Sequence, residues 1–330
     1  MVMESILLIT VLLLVVSYGL TWAIKIFSLK KNILDIPNER SSHSIPTPRG
    51  GGLGIVVTWY IGISVLFLMG TVSRNLYFAL LSGTLLAGIS LIDDVVDLKP
   101  SIRLIAQTLT VIIAFIFLHG IQPVPFIGMD IFPAIVLYPI TIVGMVWFIN
   151  LYNFLDGIDG YASLEAIAIG LALFFFTGQS INLILIASVL GFLIWNWPKA
   201  KIFMGDVGST QLGFIIAVLG INFHNEQKLS IIYWLILTAP FWFDATLTLY
   251  RRWRNKEKLS QAHRGHIYQR LVQSGFSHLK VDILLSLVNT VLIILVYVSF
   301  KFDMFQIPLL ILTLIALYVI ALYTDKRKQF

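Results

Sequence analysis

The chain has 330 residues, of which 58% are hydrophobic and only 12% are charged. An ordinary soluble domain carries about 25% charged residues, so this composition excludes a water-soluble globular protein and a disordered chain. It predicts instead an all-α polytopic membrane protein. The chain contains no cysteine, which excludes disulfides, thiol catalysis and cysteine-ligated metal sites. The net charge of +6 has to be interpreted from the positions of the charges along the chain.

Eleven apolar stretches are predicted to cross the membrane as helices, because each approaches the ~20 residues that a span requires. The first is longer than the ~7–15 apolar residues of a signal peptide. Glu4 precedes it and lysines follow it, which predicts a retained helix whose N-terminus is outside the cytoplasm. All spans are assigned to one domain, residues 1–330. The predicted spans are residues 5–27, 51–70, 75–92, 102–119, 131–149, 161–177, 180–197, 209–223, 229–249, 281–299 and 304–323.

Basic residues are distributed very unevenly between the two sides that these spans define. The loops that follow spans 1, 3, 5, 7 and 9, together with the C-terminus, hold 20 of the 23 lysines and arginines. The other side has Arg74, Lys228 and Lys301. Cytoplasmic loops of membrane proteins carry the excess of basic residues, so the odd-numbered loops and the C-terminus are predicted to be cytoplasmic.

The same odd-numbered loops contain the unusual polar motifs, which predicts a single active site at the cytoplasmic face. The first motif is DDVVD at residues 93–97. On a helix, Asp93 and Asp97 share one face and Asp94 lies beside them. Carboxylates this close repel one another unless a cation such as Mg²⁺ binds to them. We therefore expect a metal-dependent catalytic role for these three residues, an ordinary solvated loop being the alternative.

The motif NLYNFLDGIDG at residues 150–160 is more informative. Asn150, Asn153, Asp156 and Asp159 recur every three residues and so follow one side of a helix end. Helix capping is the alternative interpretation, but a cap accounts for one such residue and not for four. These four residues are therefore predicted to bind a ligand at the cytoplasmic surface.

Asp206 lies between two glycines in the motif FMGDVGS at residues 203–209. An aspartate at the start of a helix can bind a metal ion or can cap the helix. Phe203 can stack on a nucleotide base or pack against apolar neighbours. Taken alone, this motif does not decide between the functional and the structural interpretation.

Basic and hydroxyl side chains in the remaining odd-numbered loops are candidates for binding phosphate. His263, Arg264 and His266 of the motif HRGHIYQR form a compact cluster that can hold diphosphate oxygens. The five basic residues between positions 251 and 258 fit an attraction to anionic lipid better. Further candidates for binding phosphate or an anionic head group are Thr47, Arg49, Lys99 and Arg103.

Acidic and basic clusters on one membrane face indicate metal-assisted phosphate chemistry on a lipid substrate. The four motifs DDVVD, NLYNFLDGIDG, FMGDVGS and HRGHIYQR, in this order, resemble those of the polyprenyl-phosphate N-acetylhexosamine-1-phosphate transferase family, which is glycosyltransferase family 4. The resemblance extends over most of the chain. The HRGH box and the arginine before the glycines at 50–52 are similar to the branch that initiates O-antigen, rather than to the muramoyl-pentapeptide branch.

The resemblance implies transfer of N-acetylhexosamine-1-phosphate from a UDP-sugar to undecaprenyl phosphate, with release of UMP. This reaction would initiate a cell-surface glycan such as the O-antigen of lipopolysaccharide. The resemblance further implies that Asp206 and Asp94 bind Mg²⁺, for which Mn²⁺ can substitute. It implies that Asp93 and Asp94 lie near the lipid phosphate, with Asp97 in the same catalytic set.

The remaining motif residues receive substrate-binding roles from the same resemblance. The Asn and Asp residues of 150–160 resemble the nucleotide side of the site, and Phe203 resembles a residue that stacks on uracil. The histidine box is expected near the diphosphate or the sugar. The resemblance also implies a location in the bacterial inner membrane and contact with bilayer lipid. No nucleic acid is expected as a partner, and the oligomeric state stays open, with a homodimer as one alternative.

Direct attack by the lipid phosphate is favoured over a covalent aspartyl intermediate, because a positioned phosphate oxygen is already a competent nucleophile. Two other functions are weighed against this one. An intramembrane Mg²⁺-dependent prenyltransferase would need a second aspartate-rich motif. A transporter of lipid-linked sugars would place ionisable residues in the middle of spans, for which Asp244 and Glu165 are the candidates.

Overall fold

The computed structural model of the protein describes residues 2–37, 45–96, 98–126, 129–130, 132–259, 263–302 and 305–330. Within these ranges the chain is almost entirely helical, and two pairs of very short antiparallel strands accompany the helices. The strands are β1 Leu34–Asp35, β2 Thr47–Pro48, β3 Pro125–Phe126 and β4 Met129–Asp130. The helices are α1 Val2–Lys30, α2 Gly52–Leu68, α3 Arg74–Leu81, α4 Gly83–Val96, α5 Pro100–Phe117, α6 Ala134–Phe154, α7 Tyr161–Thr177, α8 Ile181–Asn196, α9 Asp206–Asn225, α10 Ile231–Leu237, α11 Ala239–Arg254, α12 Ile267–Gln273, α13 His278–Lys301 and α14 Gln306–Arg327.

The protein is an all-α multi-pass membrane protein, as predicted. In the described part of the chain, seven helical stretches are long and apolar enough to cross a membrane: α1, the continuous pair α3 and α4, α5, α6, α9, α13 and α14. The bent pair α10 and α11 adds an eighth if it is counted as one span. Helices α2, α7 and α8 are apolar but have only 16 or 17 residues. Every predicted span therefore overlaps a helix, while the total of eleven spans and their orientation stay predictions.

One predicted span, residues 229–249, is wrong as a single straight helix. Helices α10 and α11 meet at Thr238 with a bend of 74°. Pro240 lies in the first turn of α11, where its ring has no N–H to donate and would clash with the carbonyl four residues earlier in a continuous helix. The indole Nε1 of Trp242 donates to the carbonyl of Leu235 at 2.8 Å. This hydrogen bond replaces the helical partner that the Leu235 carbonyl loses at the bend.

Helix α9 forms the centre of the bundle. Every residue from Val207 to His224 is buried, and the helix packs against α2, α4 and α6. A β-carbon on Gly52 of α2 would lie 2.4 Å from the Cα of Gly208, so the two backbones touch and neither position admits a side chain. This close approach fixes the start of α9, and with it Asp206, at one end of the bundle.

The connections between helices collect at two opposite ends of the bundle. At one end, which we call the far end, Asn75 is hydrogen-bonded to His119 at 2.9 Å, and Asn225 accepts from the backbone N–H of Gln122 at 2.8 Å. The far end comprises residues 69–75, 118–126, 177–180 and 224–230.

The opposite end, which we call the site end, comprises residues 45–52, 93–103 (without 97), 150–160, 198–206 and 263–273. The backbone N–H of Gly51 donates to the carbonyl of Phe203 at 2.9 Å. The hydroxyl of Tyr268 donates to the carbonyl of Phe154 at 3.2 Å. In the described part of the chain, connections that follow odd-numbered predicted spans thus meet at one end, and those that follow spans 2, 4, 6 and 8 lie at the other.

Candidate active site

A cavity of about 380 Å³ opens at the site end, between the last turns of α4, α6 and α11, the first turns of α5 and α9, and the segment before α12. Side chains from four widely separated parts of the sequence line this cavity. Its apolar wall contains Leu86, Ile89, Leu104, Phe154, Leu249 and Leu259. Its polar lining contains Asp93, Arg103, Asn150, Asn153, Asp206, Thr210, His263, His266 and Gln269. The structure therefore brings together seven of the residues predicted as ligand-binding, catalytic or metal-binding, Arg103 among them.

Arg103 links the aspartate motif to the start of α9. Its Nη1 donates to Oδ2 of Asp93 at 3.0 Å and lies 3.6 Å from Oδ2 of Asp206. Asp93 is buried, and its Oδ1 accepts from the backbone N–H of Leu98 at 2.7 Å. One guanidinium thus lies between two carboxylates that converge on the cavity and offsets only part of their charge. Asp97 lies outside the described residues, so its catalytic role stays a prediction.

Asp94 faces the segment that carries Asp206. A β-carbon on Gly205 would lie 3.6 Å from Oδ2 of Asp94. Gly205 has a φ of +77°, a backbone conformation that disfavours any residue with a side chain. The glycine before Asp206 therefore permits both the sharp start of α9 and the close approach of the Asp94 carboxylate.

The basic and hydroxyl candidates before α2 and α5 have different surroundings. Arg49 donates from Nη2 to the main-chain carbonyl of Asp94 at 2.9 Å, so it ties the chain before α2 to the end of α4. Thr47 is buried and donates to the carbonyl of Ile45 at 2.9 Å. Lys99 is exposed and directly precedes α5. Neither Thr47 nor Lys99 lines the cavity, and their substrate-binding roles stay predictions.

Two amides from the end of α6 project into the cavity. Asn150 exchanges hydrogen bonds with Gln107, donating to its Oε1 at 2.6 Å and accepting from its Nε2 at 3.3 Å. Asn153 accepts from the hydroxyl of Ser209 and also hydrogen-bonds to the Asp206 carboxylate. The side chain of Asn153 is therefore held directly beside the predicted metal ligand.

The two aspartates of the motif differ in their partners. Burial, together with the carboxylates of Asp206 and Asp159, raises the pKa of Asp156 to about 7. Asp159 instead pairs with His278 at 3.2 Å and accepts from the backbone N–H of Ala200 at 3.1 Å. Asp156 therefore belongs to the acidic group around Asp206, whereas Asp159 connects two neighbouring loops to α13.

Phe203 is half-buried and does not line the cavity. Its backbone is held on both sides by the chain before α2: its N–H donates to the carbonyl of Pro48 at 2.8 Å, and its carbonyl accepts from Gly51. The main chain of Phe203 thus closes one side of the site end, and its predicted stacking on a base stays a prediction.

The histidine segment, residues 263–266, contributes His263 and His266 to the lining of the cavity that Asp93 and Asp206 also line. The rings of His263 and His266 lie 4.8 Å apart. Burial, with His266 and Arg252 nearby, lowers the pKa of His263 to about 4. His263 is therefore neutral at pH 7. Its Nδ1 accepts from the backbone N–H of Gly265 at 3.1 Å, which leaves Nε2 as the protonated, donating nitrogen.

Asp244, a buried residue of α11, orients the histidine segment. Its Oδ1 accepts from the backbone N–H of Ile267 at 2.9 Å and from the hydroxyl of Thr248 at 3.2 Å, and it lies 3.7 Å from Nδ1 of His266. From its position in the sequence, Asp244 is a candidate only for the mid-span charge of a transporter. An ionisable residue inside an apolar span indicates a functional site by default. The sequence therefore indicates that Asp244 matters, but it does not reveal which residue Asp244 contacts.

Arg264 is half-buried between the two histidines and does not line the cavity. Its carbonyl accepts from Nε2 of Gln273 at 2.8 Å, so the backbone of the segment is tied to the end of α12. The predicted contact of the Arg264 side chain with a diphosphate stays a prediction.

The donor set fits a divalent cation that also binds substrate phosphate. No group of three or more His, Asp or Glu side chains in the described ranges could hold a metal ion by itself. Mg²⁺, however, is usually held by one or two carboxylates and completes its shell with water and phosphate oxygens. Asp206 and Asp94, which face each other across Gly205 with Asp156 nearby, match this incomplete type of site.

Comparison with known proteins identifies the family. Residues 76–224 match the family model described as glycosyl transferase family 4. A probable undecaprenyl-phosphate N-acetylglucosaminyl 1-phosphate transferase of Bacillus subtilis is 30% identical over 273 residues, covering 78% of this chain and 75% of the relative. The chain belongs to the polyprenyl-phosphate N-acetylhexosamine-1-phosphate transferases of glycosyl transferase family 4.

Two further relatives are similar to this chain at comparable identity. An undecaprenyl-phosphate alpha-N-acetylglucosaminyl 1-phosphate transferase of Thermotoga maritima is 31% identical over 264 residues, with 78% of this chain and 80% of the relative covered. A phospho-N-acetylmuramoyl-pentapeptide-transferase of Streptococcus pneumoniae is 30% identical over 207 residues, with 56% and 62% covered. The predicted family is confirmed, and the prenyltransferase and transporter alternatives are set aside.

Proposed function

We propose that this family 4 enzyme transfers N-acetylhexosamine-1-phosphate from a UDP-sugar to undecaprenyl phosphate and releases UMP. The observation that carries the proposal is the cavity at the site end, where an acidic group, an arginine and two histidines meet beside an apolar wall. The names of the Bacillus subtilis and Thermotoga maritima relatives supply the acceptor lipid and the sugar-1-phosphate.

The reaction exchanges one phosphoryl bond for another. An oxygen of the lipid phosphate forms a bond to the β-phosphorus of the UDP-sugar. The bond between that phosphorus and the oxygen bridging to the α-phosphate breaks, and UMP leaves with the electron pair. Such transfers need little covalent chemistry from the protein, so catalysis consists mainly of positioning and charge stabilisation.

The residues that line the cavity, together with Asp94 beside it, would have different roles in this reaction. Asp206 and Asp94 would hold Mg²⁺, which when bound neutralises phosphate charge. The Arg103 guanidinium, 37% exposed at the cavity, would stabilise negative charge on the transferring group. Neutral His263 would donate a hydrogen bond from Nε2 to a diphosphate or sugar oxygen. Direct attack fits this set, since the lipid phosphate needs orientation rather than a separate nucleophile.

The apolar wall supports a lipid acceptor. Leu86, Ile89 and Leu104 line the same cavity as Asp93 and Arg103. A phosphate placed beside Arg103 would therefore leave its first prenyl units against hydrocarbon rather than water. Because the bilayer interior is as apolar as this wall, the prenyl chain could pass from the membrane to the site without exposure to water while its phosphate reaches Arg103.

The proposed location is the bacterial inner membrane, with the site end in the cytoplasm. The concentration of lysine and arginine in the odd-numbered loops supports this orientation. It would also place the cavity where UDP-sugars are made. Eleven spans, with the N-terminus outside and the C-terminus inside, are part of the same proposal.

The proposed donor is UDP-N-acetylglucosamine or a related UDP-N-acetylhexosamine without a peptide. The relatives matched over most of their length are named as N-acetylglucosaminyl 1-phosphate transferases, whereas the muramoyl-pentapeptide relative is matched over a shorter part. The HRGH sequence at 263–266 agrees with this choice. The product would initiate a surface glycan of the O-antigen type.

A donor and acceptor panel tests the function. Purified protein in detergent with MgCl₂ is given undecaprenyl phosphate and, separately, UDP-N-acetylglucosamine, UDP-N-acetylgalactosamine, two UDP-6-deoxyhexosamines and UDP-N-acetylmuramoyl-pentapeptide. UMP release should require both the lipid phosphate and one of the peptide-free donors. Release of UMP without the lipid, or from the pentapeptide donor alone, would contradict the proposal, as would inactivity of folded protein toward the whole panel.

A further inference from the structure

The residues at the end of α14 fold against the histidine segment. Arg251 of α11 donates two hydrogen bonds to the carboxylate of Asp325, each at 2.9 Å. Arg270 of α12 donates to the same carboxylate and, from Nη2, to the carbonyl of Lys328 at 2.9 Å. One carboxylate therefore joins three helices at the site end.

The histidine segment depends on such contacts for its position. Residues 263–266 have no regular secondary structure, and α12, which follows them, has only seven residues. Helices this short are not stable alone in water, so tertiary contacts must hold the segment beside the cavity. Asp244 provides the inner contact, through the backbone N–H of Ile267. Arg270 provides an outer contact, one turn further along α12.

The charges make Asp325 a necessary partner of these arginines. The side chain of Arg270 is only 3% exposed and that of Arg251 is 17% exposed. Two guanidinium groups that are largely removed from water repel each other and lose hydration. Asp325 pairs with both at once, which reduces their mutual repulsion, and its two parallel bonds fix the plane of Arg251.

Phe330 occupies the space behind the same segment. Its ring centroid lies 5.3 Å from the guanidinium carbon of Arg251 and 5.4 Å from that of Arg270, within the range of cation–π attraction. A β-carbon on Gly265 would lie 3.4 Å from Cε2 of this ring. The ring therefore packs directly against the backbone between His263 and His266.

We propose that Asp325 and Phe330 are positioning residues for the transfer reaction. Asp325 holds α12 through Arg270 and Arg251, and Phe330 keeps the backbone at Gly265 from moving away from the cavity. The inference rests on the proposed function, because the position it controls is that of the histidine pair relative to the diphosphate. Neither residue lines the cavity, so both act through the histidine segment.

The test compares Asp325→Asn, Asp325→Glu, Phe330→Ala and Phe330→Leu with wild-type protein in the UMP-release assay. Asp325→Asn should lower kcat/KM for the UDP-sugar by ~10–100-fold, the range expected when catalytic groups shift by about 1 Å. Asp325→Glu should restore most of the loss, and Phe330→Leu should retain more activity than Phe330→Ala. The matched control is Glu226→Gln, an exposed carboxylate at the far end, which should behave as wild type.

A double variant separates positioning from general loss of stability. If Asp325 acts through the histidines, the variant carrying both Asp325→Asn and His263→Ala should be no slower than His263→Ala alone. Equal activity of Asp325→Asn, Phe330→Ala and wild type would overturn the proposal, and so would losses that simply multiply in the double variant. If Asp325→Asn fails to fold, the UMP-release rates of Phe330→Ala and Phe330→Leu, each alone and combined with His263→Ala, test the proposal in the same way. Wild-type protein that releases no UMP contradicts the proposed function instead.

Discussion

At the far end of the bundle, Asn225 donates to the carbonyls of Leu118 and Gly120 and accepts from the N–H of Gln122. At the site end, the carboxylates of Asp94, Asp156 and Asp206 lie close enough to influence one another. The far-end amide is satisfied by backbone groups, which stabilises the loops it connects. The acidic group is satisfied only partly, by Arg103 and Asn153, and so remains available to a cation and to phosphate.

The comparison shows that polar residues in similar surroundings have different roles at the far end and at the site end. Both ends carry polar side chains beside apolar helices, and both connect segments distant in sequence. An amide whose two N–H groups both pair with carbonyls has no hydrogen-bond donor left for a ligand. Carboxylates that face one another cost stability without a counter-charge, a cost that the proposed cation would offset.

The largest effect is expected at the start of α9. Asp206→Asn should lower UMP release at least ~1,000-fold, since it removes charge needed to hold the cation and phosphate. The matched change at the far end, Glu226→Gln, breaks an exposed pair with Lys228 at 2.7 Å and should leave turnover unchanged. Comparable rates for the two variants would remove the functional distinction between the ends.

A smaller effect is expected for the carboxylate behind the histidines. Asp244→Asn should lower kcat/KM by ~10–100-fold, because the histidine segment loses its charged inner partner. Glu165→Gln is the control, since Glu165 is equally buried in α7 but pairs with Asn289 at 2.6 Å, away from the cavity. A greater loss of turnover in Glu165→Gln would shift the functional site toward the middle of the bundle.

The third prediction concerns pH. Because the pKa of Asp156 is raised to about 7, a proton competes with the cation for the acidic group at and below neutrality. The apparent affinity for Mg²⁺ should therefore fall as pH decreases from 7, by up to ~10-fold per unit for one displaced proton, and should level off above it. Mg²⁺ titrations of UMP release from pH 5.5 to 8.5 measure this slope. Asp156→Asn should flatten it, and an unchanged slope in that variant would assign the proton to another group.

The smallest effect on catalysis is expected at the far end. Asn225→Ala leaves two carbonyls and one N–H without their side-chain partner and should destabilise the protein by about 1–2 kcal/mol. Thermal unfolding in detergent should show the lower Tm, while kcat and KM stay at wild-type values below the transition. A marked rise in KM for the UDP-sugar would indicate that the far end contributes to the site.

Much of this architecture could be predicted from residue patterns. Apolar length located the helices, and the alternation of basic loops placed the motifs at one end, because both depend on local sequence and on the bilayer. The bend at Thr238 was missed, although Pro240 was visible, because the apolar pattern continues through it. The positions of Asp93, Asn153, Asp206 and His263 around one cavity agree with the prediction, whereas their catalytic roles remain to be measured.

What could not be predicted were the long-range partners. Asp159 pairs with His278, Asp244 lies beside His266, and Asp325 holds Arg270. Each of these contacts joins residues far apart in the chain, and charge alone does not specify which acid meets which base. Local spacing therefore identified the residues of the cavity better than it identified those that hold the cavity in shape.

The central claim is that distant segments of the chain converge on one diphosphate at the site end. A cryo-EM structure of the protein in nanodiscs with Mg²⁺, UDP-N-acetylglucosamine and a non-reactive lipid phosphate analogue tests it most directly. The account predicts the diphosphate inside the cavity, with Asp206 and Asp94 on one side and His263 on the other. A diphosphate bound elsewhere, or Asp94, Asp206 and His263 at opposite ends of the bundle, would contradict it.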